Sequence, residues 1–245
     1  MRSISWVAAQ AEKDAERFRR IGVAPAKVAV TGSVKFDVDI PEDVRAAART
    51  LRQKLAGRPV WIAGSTHGNE NDQLIAAHVK VLEKHPDALL ILVPRHPDRF
   101  EPVAEKTLKE GLVLARRSMG EDPAGAQVYL GDTMGELMML YGASDLAFVG
   151  GSLIERGGHN PLEPAGWGIP VFSGPHFFNF ETIYQRLLDD RGVKLVSDAD
   201  DLAAHVSSLF SDHREREAIG LRALEVVNKN RGALDKVVDG IIERV

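Results

Sequence analysis

No cysteine occurs anywhere in the 245 residues. A disulfide scaffold, a thiolate metal site and a cysteine nucleophile are therefore excluded, and the absence is compatible with the cytoplasm. No apolar run approaches the roughly 20 residues of a membrane span, and the segment after Met1 lacks a signal-peptide pattern. If the protein works at a membrane, its anchor is expected outside this chain. Long basic runs are missing too, and the net charge is −4, which argues against nucleic acid as a partner. There are no internal repeats and no low-complexity tracts. With 44% hydrophobic residues, the chain can build one large α/β domain or a domain and a half.

The most informative stretch runs from Ala147 to Asn179, AFVGGSLIERGGHNPLEPAGWGIPVFSGPHFFN. Its apolar run Leu146 to Val149 stops at Gly150 and Gly151, as a buried parallel strand does before a loop. A second pair, Gly157 and Gly158, precedes His159-Asn160-Pro161-Leu162-Glu163. That segment reads as a helix start with Asn160 at N-cap, Pro161 at N1 and Glu163 at N3 as a capping-box carboxylate. The short helix ends near Gly168, and Ile169 to Phe172 reads as a strand entering the loop Ser173-Gly174-Pro175-His176. In an open parallel sheet, ligands bind beyond the carboxyl ends of strands, where helix N-termini favour anions. Two glycine-rich loops carrying His159, Glu163 and His176 point to a nucleotide site.

Elsewhere strands and helices alternate. Residues 5 to 40 read as the entry into a domain: a short apolar piece at Ser5 to Ala8, a helix from Glu12 to Ile21 stopped by Gly22, and a strand at Val28 to Val30. The segment from Thr31 to Pro41 reads as a linker, the alternative being a surface loop within one domain. A helix follows at about 42 to 56. Further strands are expected at Val60–Ala63, Leu89–Val93, Leu112–Leu114, Gln127–Leu130 and Val193–Val196, with helices at Glu70–Leu82, up to Lys109, Asp132–Tyr141, Phe180–Leu188 and Asp200–Phe210. From Arg214 onward the chain reads as helical, broken around Gly232. This βαβ alternation predicts an α/β fold, a Rossmann-like parallel sheet of about six strands with helices on both faces.

Three further groups stand at expected strand ends. Ser65-Thr66-His67 offers hydroxyls that suit either a helix cap or a phosphate. Pro94-Arg95-His96-Pro97 holds a guanidinium in a stiffened loop, where a fork could grip a phosphate or carboxylate. Thr133-Met134-Gly135-Glu136 reads as a capping box that leaves Gly135 unexplained, since glycine costs about 1 kcal/mol relative to alanine inside a helix. A missing side chain there lets a ligand approach the backbone, Met134 offers a polarizable contact to a base, and Glu163 can accept from both ribose hydroxyls.

The runs VTGSVKFD, AGSTHGNEND, VPRHPDRF, GDTMGELMMLYGASDLAFVGGS and GGHNPLEPAGWGIPVFSGPHFFNF together resemble the 3-deoxy-D-manno-oct-2-ulosonic acid (Kdo) transferases of Gram-negative lipopolysaccharide synthesis. They cover most of residues 5 to 190; each alone is weak, and the combination is specific. Small departures are Ser33, where Asn is expected in GN-x-KFD, and Gly68-Asn69 after Ser65-Thr66-His67, where Glu is common. The resemblance implies a GT-B enzyme, whose N-terminal domain receives the lipid A precursor and whose C-terminal domain holds CMP-Kdo. It implies that residues 1–40 are the end of the N-terminal domain and a linker, and that 41–245 form the CMP-Kdo-binding domain with terminal helices.

Carried over by motif, Pro94 and Arg95, the turn Met134-Gly135-Glu136, and Asn160-Pro161-Leu162-Glu163 are the implied CMP contacts. Arg95 and helix N-termini would hold the phosphate, Glu163 the ribose and the Met134 turn the base. Ser65, Gly151, Ser152 and His159 are implied neighbours facing the phosphate or the sugar. The implied reaction is an inverting transfer without metal or cofactor. Its general base is a Glu of the N-terminal domain, so no catalytic residue is expected in this chain and no turnover from it alone; His67, His159 or His176 could serve on chemistry only. The full-length enzyme is expected at the cytoplasmic face of the inner membrane and this portion in solution. Two other classes remain open: another GT-B-like enzyme, such as a UDP-sugar transferase or epimerase, and a non-catalytic nucleotide-binding module.

Overall fold

The computed structural model describes residues 4–244. In chain order the elements begin with β1 (Val7–Ala9), α1 (Glu12–Arg20), β2 (Val28–Val30), α2 (Glu42–Lys54), β3 (Val60–Thr66), α3 (Glu70–Lys84) and β4 (Leu89–Pro94). They continue with α4 (Phe100–Lys109), β5 (Leu114–Arg116), β6 (Val128–Leu130), α5 (Leu137–Gly142), β7 (Leu146–Val149) and α6 (Leu162–Gly166). The last are β8 (Val171–Ser173), α7 (Glu181–Asp189), β9 (Val193–Leu195), α8 (Ala199–Ser211), α9 (His213–Lys229) and α10 (Ala233–Ile242). Two compact units form: Ile40–Leu224, and the residues up to Asp39 together with those from Glu225.

The larger unit is built on a parallel sheet of seven strands in the order β5-β6-β4-β3-β7-β8-β9. Central strands β3 and β4 are near-continuous apolar runs because both of their faces are covered. Side chains alternate between two cores with the strand period of two. Trp61, Ala63, Leu90 and Leu92 pack with Leu74, Val81, Val103 and Leu202 from α3, α4 and α8. Val60, Ile62, Leu89 and Ile91 pack on the other face with Leu51 of α2 and Leu140 and Tyr141 of α5. Parallel pairing sets Trp61 opposite Leu90 on one side and Leu146 on the other. One polar chain crosses the first core. Trp61 Nε1 donates to His78 Nδ1 at 3.0 Å, so the neutral ring carries its proton on Nε2 and donates to the Gln127 carbonyl at 2.8 Å.

The expected α/β architecture is present, with seven strands rather than about six and some shifted boundaries. Strand β5 begins at Leu114, not Leu112, because the Leu112 N–H is spent on closing α4 against the Thr107 carbonyl and the Val113 N–H on the Gln127 side chain. Helix α5 begins at Leu137, not Asp132. In the smaller unit, β1 and β2 pair in parallel. There Asp37, the last residue of the VTGSVKFD run, accepts from Gly232 N–H at 2.6 Å and Leu234 N–H at 2.7 Å and so caps α10. These bonds join the start of α10 to the first 39 residues, with which the residues from Glu225 form one compact unit; the expected domain of 41–245 includes those same terminal helices.

Candidate functional site

The chain passes from β3 to β4, β5 and β6 on one side of the sheet, then returns to place β7, β8 and β9 on the other. That reversal between β3 and β7 opens a crevice at the carboxyl ends of the strands, the usual ligand position in such sheets. Around it stand His67 after β3, Arg95 and His96 after β4, the 131–136 turn after β6, and the 150–161 loop after β7. Gly150 permits this arrangement: a Cβ there would lie 2.5 Å from the Ser65 carbonyl oxygen and 2.7 Å from Thr66 Cα. Ser65 itself has φ +55°, a conformation that costs a non-glycine residue on the order of 1–3 kcal/mol, at a bulge near the end of β3.

The floor of the crevice is organised by Glu70, which the sequence reading passed over. Fully buried as the first residue of α3, it accepts backbone N–H groups from Gly151 (2.7 Å), Ser152 (3.0 Å), Leu153 (2.9 Å) and His67 (3.3 Å). Burial pushes its carboxyl up from the ordinary value, against the pull of those four donors. One internal carboxylate thus ties the β3–α3 and β7–α6 loops together. The signal available beforehand was modest: an acidic residue in a first helical turn behind Ser65-Thr66-His67.

This changes the reading of several residues. The N–H groups of Gly151 and Ser152 face Glu70, not an incoming phosphate. Ser152 is fully buried, its hydroxyl donating to the Val149 carbonyl at 2.6 Å and accepting from Gly174 N–H at 2.8 Å. Ser65 and Thr66 lie in β3 rather than in a loop, and neither hydroxyl caps α3. Helix N-termini also offer less than expected. At that of α3, Glu70 N–H donates to the His67 carbonyl at 3.0 Å and Asn71 N–H to the Gly68 carbonyl at 3.4 Å. In α6 the Leu162 N–H is taken by Asn160 Oδ1 at 3.2 Å, and Pro161 and Pro164 have none to give. The expected capping-box bond from Glu163 to the Asn160 backbone is replaced by a long contact of 3.5 Å with the Asn160 side-chain amide.

Side chains therefore supply the site's charge. The Arg95 N–H, donating to the Thr66 carbonyl at 2.9 Å, pins that residue to the end of β3 directly after buried Pro94, and leaves the guanidinium exposed. Neither Arg95 nor Arg156 has a salt bridge among the described residues. Arg95 lies close enough to Glu163 to favour its ionised form, while burial, the larger influence, pushes that carboxyl up. His159 and His67 meet through their Nε2 atoms at 2.7 Å, with ring planes within 3° of each other. Burial lowers both imidazoles, His159 to about 4, with neighbouring His96 and Arg95 acting in the same direction. The structure thus brings Arg95, His159 and Glu163 together in one electropositive crevice, with Asn160, Pro161 and Leu162 forming the turn that carries Glu163.

The 133–136 turn has a different geometry from the expected capping box. Gly135 has φ +83°, and a Cβ there would meet nothing within 4 Å, so its backbone is open to approach. Met134 is exposed beside it. The Glu136 carboxylate is turned away into a two-pronged bond with Arg117, at 2.7 and 3.0 Å, and also accepts from the Thr133 hydroxyl. Arg117 holds it below the usual carboxylate range, and the Glu136 carbonyl accepts from the Leu140 N–H at 3.0 Å. Helix α5 packs against α6 and β3, which places this turn on the same rim. Among the described residues no group of three His, Cys, Asp or Glu side chains is arranged to hold a metal ion.

The model of the family described as 3-Deoxy-D-manno-octulosonic-acid transferase (kdotransferase) matches residues 1–38. The chain is 44% identical over 239 residues to the 3-deoxy-D-manno-octulosonic acid transferase of Haemophilus influenzae, covering 96% of this chain and 56% of the relative. With the enzyme of the same name from Bordetella pertussis it shares 34% identity over 241 residues, 96% of this chain and 55% of the relative. It thus spans little more than half the length of the curated relatives it matches. Among solved structures, the C-terminal CMP-Kdo binding domain of WaaA from Acinetobacter baumannii is 36% identical, with a TM-score of 0.73, over 76% of this chain and 99% of that one. A likeness at 14% identity and TM-score 0.59 to Anabaena Alr3699/HepE in complex with UDP and glucose, over 98% of this chain and 64% of that one, shows the fold alone.

Proposed function

The chain belongs to the 3-deoxy-D-manno-octulosonic acid (Kdo) transferase family, and from that premise we propose that it is the donor-binding half of such an enzyme. In this reading residues 41–224 hold CMP-Kdo, and residues 1–40 are the end of the N-terminal domain and its linker. The N-terminal domain that takes the lipid A precursor is supplied by the rest of the protein. The observation that carries it is the convergence of Arg95, Glu163 and His159 at the carboxyl ends of β4 and β7.

Each group has a role that its geometry suits. Arg95, pinned by its backbone and unpaired, takes the phosphate that becomes the leaving group. Charge grows there as the glycosidic bond breaks, so a preorganised guanidinium stabilises the transition state more than the ground state. Glu163 accepts from the ribose hydroxyls. The open backbone at Gly135, with Met134 beside it, receives the base. Transfer proceeds with inversion and without a metal, the acceptor hydroxyl attacking opposite CMP. The base that deprotonates it lies outside this chain, so the chain alone is inactive. None of the helices in the described residues is long and apolar enough to cross a membrane; work at the cytoplasmic face of the inner membrane would rest on segments outside it.

Calorimetry with CMP, UMP and UDP-glucose tests the reading. Binding of CMP at least tenfold tighter than either uridine nucleotide is expected. Preference for the UDP-sugar would assign the crevice to a different transferase or epimerase. Failure of this chain to restore Kdo transfer when joined to the N-terminal half of the Haemophilus influenzae relative would favour a non-catalytic module.

A further inference from the structure

The donor proposed above carries two negative charges. A 2-ulosonic acid bears its carboxylate on the anomeric carbon, the same atom that holds the phosphate, so a site built for it must meet two anions a few ångströms apart. Arg95 answers the phosphate. The backbone amides of the glycine loop cannot answer the second charge, because Glu70 already accepts those of Gly151, Ser152 and Leu153.

What remains beside Arg95 is a group of nitrogen side chains drawn from three loops. His67 and His159 touch at 2.7 Å between Nε2 atoms, directly over Gly151, where an added Cβ would stand 3.2 Å from His159 Cδ2. The His96 ring stands edge-on to His67, with centroids 5.2 Å apart. Arg156, Arg99 and Arg95 all act on His67 electrostatically. Of these three, only Arg99 has a salt bridge among the described residues, to Asp98 at 3.6 Å. An N···N contact of this kind uses the N–H of one ring and the lone pair of the other, so the accepting neutral ring carries its proton on Nδ1, a donor that can face an anion.

We infer that His67, His159 and His96, with Arg156, form the subsite for the carboxylate of the donor sugar, and that this subsite distinguishes an acidic sugar from a neutral one. The inference rests on the donor-binding reading. It assigns the discrimination between donors to the imidazole pair and leaves retention of the nucleotide to Arg95 and Glu163.

The test compares CMP with freshly generated CMP-Kdo in calorimetric titrations of the wild-type chain and of His67→Asn, His96→Asn and Arg156→Gln. Wild type is expected to bind CMP-Kdo at least tenfold tighter than CMP. Each substitution should erase most of that ratio while CMP affinity changes less than threefold. Retained CMP binding also reports that the variant is folded, and Arg156→Gln, at an exposed position, leaves the buried ring contact untouched. The inference is overturned if wild type binds the two ligands equally, if the variants keep the ratio, or if CMP affinity falls as far as that for CMP-Kdo. A wild-type chain that binds neither ligand fails the donor-binding reading itself, a separate and recognisable outcome.

Discussion

Glu163 illustrates how a single side chain can be held in readiness for a ligand. It sits half-buried, with burial pushing its carboxyl up and only a long amide contact and the Arg95 charge opposing that push. A ribose offering two hydroxyls would complete its hydrogen bonding, and such bonds to a charged acceptor contribute roughly 1.5–3 kcal/mol. Replacing it with glutamine should weaken CMP binding by about tenfold or more on that scale, while the melting temperature stays the same or rises because a buried charge has been removed. Calorimetry and thermal melting of the same sample check both halves. A second residue-scale prediction concerns His78, whose burial lowers its pKa to about 4 from an ordinary 6.5. The unfolded chain binds this proton more readily than the folded one. Stability is therefore full above about 6.5 and declines as pH falls towards about 4, with a single-group loss on the order of 3 kcal/mol at about 1.4 kcal/mol per unit. Urea midpoints measured across that range should show the decline, and His78→Gln should reduce it by the share of this one group, leaving that of His159, which burial also lowers to about 4.

At the scale of elements, the loop after β7 is held from below by a carboxylate and from the side by a backbone. Glu70→Ala would leave four N–H groups without an acceptor. Because an unsatisfied buried donor costs about 1–3 kcal/mol, a loss of at least about 3 kcal/mol is expected from chemical denaturation. Gly150→Ala would force a methyl group to within 2.5 Å of the Ser65 carbonyl oxygen, a main-chain atom that has no rotamer to escape into. It should lower stability and CMP affinity together; a variant with wild-type values for both would show that the β3 and β7 ends are not so closely packed. The parallel sheet itself was legible in the sequence, because strands buried on both faces are apolar runs such as Leu89 to Val93, bounded by turn residues. The strand-end positions of Arg95 and the 150–161 loop were legible for the same reason. What was not legible was the direction in which polar groups face. Glu136 and Thr133 have the spacing of a capping box, yet the carboxylate is drawn to Arg117, nineteen residues back in the chain. Likewise the amides of Gly151 and Ser152 suit a phosphate until a buried partner from another helix, Glu70, is seen to hold them. Long-range pairing of this kind leaves no local pattern.

On the scale of the whole molecule, one chain contributes two units with different demands. In the smaller, Asp37 caps α10 across a large sequence separation, which is why the terminal helix could not be placed from its own periodicity. The larger contains every residue expected to hold the nucleotide, on the rims of buried strands, so nucleotide binding is expected of this chain by itself. The most direct test is to titrate CMP by calorimetry into the wild-type chain and into Arg95→Ala. Loss of a charge-assisted contact to phosphate predicts binding weakened by about tenfold to a hundredfold in the variant; equally strong binding by both proteins would contradict the account.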